Sequence, residues 1–100
     1  MAEPDGMLSG FRVVDLTTER AEMAGRVFAD LGAGVIKVEP PGGCYARSMG
    51  PFAEDGSEPR SLYWASVGLG KKSVVLDVES EADRARLRAL AQTADVLLES

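Results

Sequence analysis

The sequence predicts an α/β fold, a Rossmann-like parallel sheet built from βαβ units. Two strand–helix–strand patterns follow one another, and the connections inside each are short. The strand segments are apolar enough to be buried on both faces, as in a doubly wound sheet. A chain of 100 residues is one domain at most, and small for a sheet that needs cover on both sides. The sheet is therefore expected to be incomplete at its C-terminal end, where the last strand closes on Ser100.

The first strand is Arg12-Val13-Val14-Asp15-Leu16, and Thr17-Thr18 after it are expected to cap a helix. Ala21, Ala24, Phe28 and Leu31 then line one helical face, and Gly32 stands where a helix-ending left-handed residue belongs. Val35-Ile36-Lys37-Val38-Glu39 is the second strand. From Pro40 to about Pro59 the chain holds four prolines and four glycines with few aliphatics, which predicts a long irregular excursion of functional interest. Leu62-Tyr63-Trp64-Ala65 is expected to pack back onto the core.

The second half repeats the first. Ser73-Val74-Val75-Leu76-Asp77-Val78 reads as a strand, and Ser80 with Asp83 as the N-terminal box of a helix. Leu87, Leu90, Ala91 and Ala94 form its inward face, with Arg84, Arg86 and Arg88 turned outward. Asp95-Val96-Leu97-Leu98-Glu99 is the fourth strand.

The net charge is −5, with scattered cations, which argues against nucleic acid as a partner. No apolar run approaches the roughly 20 residues of a membrane span, and the acidic start Met1-Ala2-Glu3-Pro4-Asp5-Gly6 lacks the basic-then-apolar order of a signal peptide. A cytoplasmic location is expected. Cys44 is the single cysteine and the chain has no histidine, so zinc and Cys–His chemistry are not expected and Cys44 reads as a loop thiol.

In such a sheet, ligands bind beyond the carboxyl ends of the strands. The first of those turns, Leu16-Thr17-Thr18-Glu19-Arg20, holds no glycine, which removes the dinucleotide fingerprint. Gly68-Leu69-Gly70-Lys71-Lys72-Ser73 fails as a phosphate-binding loop, because Ala65 and Lys72 occupy required positions and a strand follows. The two lysines are then a solvated edge or part of an anion-binding rim, and the pair alone favours the edge. Asp15, Asp30, Glu39 and Asp77 show no spacing that selects an acid–base or metal pair, so capping and surface roles are expected.

The order of segments carries more than any one of them. Leu8-Ser9-Gly10-Phe11-Arg12-Val13-Val14-Asp15-Leu16-Thr17, Ala29-Asp30-Leu31-Gly32-Ala33-Gly34-Val35-Ile36-Lys37-Val38-Glu39-Pro40-Pro41-Gly42-Gly43, Arg47, Lys71-Lys72-Ser73-Val74-Val75-Leu76-Asp77 and Ala94-Asp95-Val96-Leu97-Leu98-Glu99 resemble, in order and spacing, the N-terminus of family III CoA-transferases. That group includes formyl-CoA transferase, the carnitine-CoA transferases and the related α-methylacyl-CoA racemases.

The resemblance implies that residues 1–100 are the N-terminal part of a large CoA-binding domain in an interlocked homodimer. The transferases use an aspartate that attacks an acyl-CoA thioester and passes CoA to an acceptor acid, which is covalent carboxylate catalysis; the racemases use it with a histidine to move a proton. That aspartate falls beyond Ser100, so no catalytic residue is expected here, and a non-catalytic role in binding an acyl-CoA or a partner chain is the rival reading. The resemblance puts Glu19 and Arg20 at the CoA contacts after the first strand, and Pro40, Leu76 and Ser100 around the adenine and ribose-phosphate pocket. Leu76 reads as a purine wall or a core leucine, and Arg47 as a contact to a CoA phosphate or a surface arginine. The chain departs from the family by lacking Ala-Gly-Pro near Arg20-Ala21-Glu22, and by Pro40 and Glu79 at positions often basic and Ser100 at one often Asn. Lost cations predict weaker attraction to a polyanion.

Overall fold

The computed structural model describes residues 6–54, 56 and 58–100. The acidic start over residues 1–5 and two positions of the irregular excursion, Asp55 and Ser57, lie outside the described residues. In chain order the elements are β1 (Arg12–Leu16), α1 (Glu22–Asp30), β2 (Gly34–Glu39), a 3-10 turn (Tyr45–Ser48), β3 (Phe52–Ala53), β4 (Arg60–Ser61), α2 (Leu62–Val67), β5 (Lys71–Val75), α3 (Glu81–Gln92) and β6 (Val96–Glu99).

Four strands form one parallel sheet in the order β5-β2-β1-β6. Each right-handed crossover places its helix over the sheet. From β1 to β2 the chain steps one way, carrying α1; from β5 to β6 it returns across the whole sheet, carrying α3, so the two helices cover opposite faces. β3 and β4 make a separate two-stranded antiparallel ribbon inside the excursion, and α2 leads the chain back to the sheet.

Side chains alternate across a strand, and this sheet uses the alternation in a graded way. On the α1 face the amino half is apolar: Val13 and Val35 are buried with Ala33, and Phe28, Ala29, Val96 and Leu98 pack against them. Two residues on, the same face turns polar, with Asp15 on β1 and Lys37 and Glu39 on β2 all at or below 1% exposure. A covered face therefore changes from oil to charge toward the carboxyl edge.

Several local expectations change. Thr17 and Thr18 do not cap α1: Ala21 holds the N-cap position without a side-chain bond, because the Thr17 hydroxyl is donated to Asp15 Oδ1 at 2.6 Å and Thr18 meets Ser100 at 3.0 Å. The third strand runs from Lys71 to Val75 rather than from Ser73 to Val78. Gly70, at φ +84°, turns the chain early, and pairing Val35 with Lys71 starts the ladder there. Leu62 to Ala65 form the start of helix α2, capped by Ser61, whose Oγ accepts from Trp64 N at 3.0 Å. Gly32 does end α1 in the left-handed region, at φ +100°. Ser80 caps α3, accepting from Asp83 N at 3.2 Å, but Asp83 turns its carboxylate to Asp77 N at 2.8 Å instead of completing the box.

Candidate site at the carboxyl edge of the sheet

Two cavities lie side by side where β1, β2 and β5 end. One, of about 280 Å³, is lined by Leu16, Val38, Glu39, Pro40, Leu76, Val78 and Leu87. The other, of about 210 Å³, is lined by Leu16, Thr17, Thr18, Glu19, Val38, Pro40, Cys44 and Tyr45. Leu16, Val38 and Pro40 belong to both. Leu16 and Val38 point to the α3 face, opposite the buried charges, so an apolar floor runs beneath the edge while polar backbone forms its rim. Such a shape suits a ligand with a flat apolar end and a polar body.

Beneath the rim lies a buried quartet of opposed charges. Lys37 Nζ stands 2.7 Å from Glu22 Oε2 and 3.7 Å from Asp15 Oδ1. Lys71 Nζ is 2.8 Å from both Asp15 Oδ2 and Glu22 Oε1. Two ammonium groups balance two carboxylates, and all four side chains are at most 1% exposed. Burial by itself raises the Asp15 carboxyl, but bonds from Lys71 and Thr17 and the charge of Lys37 outweigh it and hold the group below its ordinary range. Gly25 on α1 makes this possible: a Cβ there would sit 2.2 Å from Asp15 Oδ2 and 2.8 Å from Lys71 Cε.

A second polar knot closes the excursion against β2. Arg47 donates to Glu39 through Nε at 2.6 Å and Nη2 at 2.8 Å, a forked pairing. Cys44 N also donates to Glu39 at 2.8 Å, and the Ser73 hydroxyl bonds its other oxygen. The Arg47 bonds foremost, working against burial, lower the Glu39 carboxyl to about 2. The Arg47 guanidinium also stacks 4.5 Å over the Trp64 ring. Burial first, then the neighbouring Glu39, push the Cys44 thiol up to about 11, which keeps it protonated and inert at neutral pH.

The site residues named from the sequence are thus not all together. Pro40 and Leu76 share the larger cavity, with Leu76 only 7% exposed and its N–H donated to Glu39 O at 2.9 Å. Glu19 lines the adjoining cavity. Arg20 lies in the exposed turn that follows. Ser100 closes the loop from the far side, accepting from Thr18 N at 2.8 Å. Arg47 stands apart on a third cavity with Trp64, its fork committed to Glu39.

Two roles are corrected. Lys71 and Lys72 are not a solvated pair: Lys71 is a buried member of the quartet, and Lys72 alone is exposed. Asp15 and Glu39 are not surface groups, since each is buried and ion-paired in the interior, though each also caps the turn after its strand through Thr17 N and Cys44 N. Asp30 keeps a surface role, accepting from Arg26 at 3.0 Å, and Asp77 a turn role, accepting from Glu79 N at 2.9 Å. Glu22, Lys37, Ser73 and Tyr63 carry no site role in the sequence reading. A lysine inside the apolar run of β2 was the available signal for Lys37, because a central strand leaves it no route to water.

The family of CoA-transferase family III matches residues 8–100. The chain belongs to CoA-transferase family III. Among its relatives, a probable fatty acyl-CoA transferase of Mycobacterium tuberculosis is 44% identical over 100 residues, covering 99% of this chain and 25% of that protein. The acetyl-CoA:oxalate CoA-transferase of Acetobacter aceti is 41% identical over 101 residues, with the same coverage of each. The crystal structure of a CAIB/BAIF family protein from Brucella suis superposes with a TM-score of 0.85 at 36% identity, over 94% of this chain and 25% of that one. The chain spans about a quarter of the length of these relatives. A parallel α/β sheet is thus common to the chain and its solved relatives, as its sequence predicts.

Proposed function

We propose that this chain is the N-terminal part of the large CoA-binding domain of an acyl-CoA:carboxylate CoA-transferase, which moves CoA between an acyl-CoA and a carboxylic acid. The observation that carries the reading is the paired cavity at the carboxyl edge. It is lined by Glu19, Pro40 and Leu76, three of the positions that the family resemblance assigns to CoA. Leu76, Val78 and Pro40 offer an apolar slot for the purine ring. Thr18 and Glu19 border the adjoining space, through which the polar body of CoA would pass.

In this reading the chain holds and orients CoA and keeps water from one side of the thioester. The nucleophilic aspartate comes from beyond residue 100 and attacks the thioester, giving an acyl–aspartyl anhydride and CoA thiolate. The thiolate attacks the aspartyl carbonyl and the donor acid leaves. The acceptor carboxylate then attacks this aspartyl thioester, releasing thiolate, which takes the new acyl group from the second anhydride and frees the aspartate. Transfer is favoured over the racemase alternative because similar proteins are named as transferases, among them the acetyl-CoA:oxalate CoA-transferase of Acetobacter aceti. The interlocked homodimer and the cytoplasmic setting belong to the same reading and rest on the family resemblance.

The test is incubation of the complete gene product with a panel of acyl-CoAs and acceptor acids, following CoA exchange by mass. New acyl-CoA formed from the added acid supports the reading. Epimerisation at the α-carbon without exchange, or no reaction with any pair, overturns it.

A further inference from the structure

We infer that Tyr63 is a positioning residue for the CoA site, completing a three-point fixation of the loop after β1; the inference rests on the function proposed above. Three successive residues of that loop are each held at the backbone by a different, distant element. The Thr17 carbonyl accepts from Lys37 Nζ, which rises from β2 and the buried quartet. Thr18 N donates to Ser100 Oγ at 2.8 Å, at the end of β6. The Glu19 carbonyl accepts from the Tyr63 hydroxyl at 2.9 Å, from α2.

These partners lie 20, 82 and 44 residues away in sequence. None is a consequence of local turn chemistry. Thr17, Thr18 and Glu19 are also among the residues that wall the 210 Å³ cavity, so fixing their backbone fixes that side of the site. A loop already ordered has less freedom to lose when ligand binds, and binding is stronger by that margin. Tyr63 differs from the other two anchors. Lys37 also neutralises buried carboxylates, and the family resemblance assigns Ser100 to the CoA pocket itself. The Tyr63 hydroxyl makes no other hydrogen bond among the described residues, so its deletion reads the fixation.

The arrangement also gives the excursion between β2 and α2 a function. Its Arg47–Glu39 fork and the Arg47–Trp64 stack seat α2, and α2 carries Tyr63 to Glu19. The excursion thereby supports the site from behind as well as lining it at Pro40, Cys44 and Tyr45.

The test is Tyr63→Phe in the complete gene product, with CoA binding measured by calorimetry and amide exchange by NMR or mass spectrometry. Loss of one hydrogen bond should weaken CoA binding by roughly 3- to 10-fold and speed exchange at Thr18 and Ala21 by a similar factor. Amides of β1 and β2 and the melting temperature should stay at wild-type values. Unchanged CoA affinity in Tyr63→Phe overturns the inference, as does faster exchange spread evenly through the sheet, which would mark a structural role only. Wild-type protein that binds no CoA overturns the function proposed above and the ligand part of this inference. Loop exchange then still decides the fixation, which unchanged rates at Thr18 and Ala21 would overturn.

Discussion

Glu39 is the residue whose surroundings most constrain this edge. Its carboxylate is 1% exposed, yet it receives four donors, from Arg47 twice, Cys44 and Ser73. Its folded pKa of about 2 lies below the ordinary 4.5. A group lowered in this way stabilises the fold fully above its unfolded pKa and loses that contribution as pH falls from about 4.5 toward 2. Arg47→Ala should move the folded pKa back up. It should cost about 1–3 kcal/mol at neutral pH, the penalty of leaving a buried charge short of partners. Denaturation midpoints of the complete gene product from neutral to acid pH check this: the variant should lose less stability on acidification than wild type. An identical acid limb in the two proteins would sink the idea. The sequence showed Arg47 and Glu39 as separate residues. They stand eight positions apart across a glycine turn, and only the folded excursion brings the fork to its acceptor.

At the scale of elements, α1 sits on the sheet at a distance set by Gly25. Alanine is the better helix former by about 1 kcal/mol, but here its methyl would strike Asp15 and Lys71 inside the quartet. The clash should win. Gly25→Ala is expected to destabilise by about 1–3 kcal/mol, the usual range for forcing atoms into a packed interior. Gly34→Ala is the control, since its nearest neighbour would be Phe11 O at 3.8 Å, and it should stay within about 0.5 kcal/mol. Chemical denaturation of both variants checks the pair, and equal losses would refute the steric account. The βαβ elements were legible because period and length are local properties. The start of β5 was not. Lys71 and Lys72 look like a hydrophilic boundary, but a salt partner in the interior lets a lysine open a buried strand. Thr17 and Thr18 misled because their hydroxyls are committed elsewhere, Thr17 to Asp15 two residues back and Thr18 to the distant Ser100.

Across the whole molecule, the order β5-β2-β1-β6 leaves β5 and β6 as the outer strands of this sheet. Val75 on β5 and Leu97 on β6 are 56% and 51% exposed, and α3 contains no buried residue. The segment 1–100 expressed alone should therefore associate through its strand edges and uncovered apolar faces. Light scattering at rising concentration checks this. A monomer that melts cooperatively at every concentration would refute it.

By itself the sequence determined the fold class, the two βαβ units and the family, because each is written in short-range periodicity or in an ordered set of local segments. Tertiary structure alone decided which polar residues are interior. Charge burial depends on a partner brought from elsewhere in the chain, as Lys37 and Lys71 are brought to Asp15 and Glu22. It also decided how the loop from Thr17 to Glu19 is held. Its three anchors come from β2, β6 and α2, and no local pattern encodes contacts that exist only once the sheet has ordered those elements side by side.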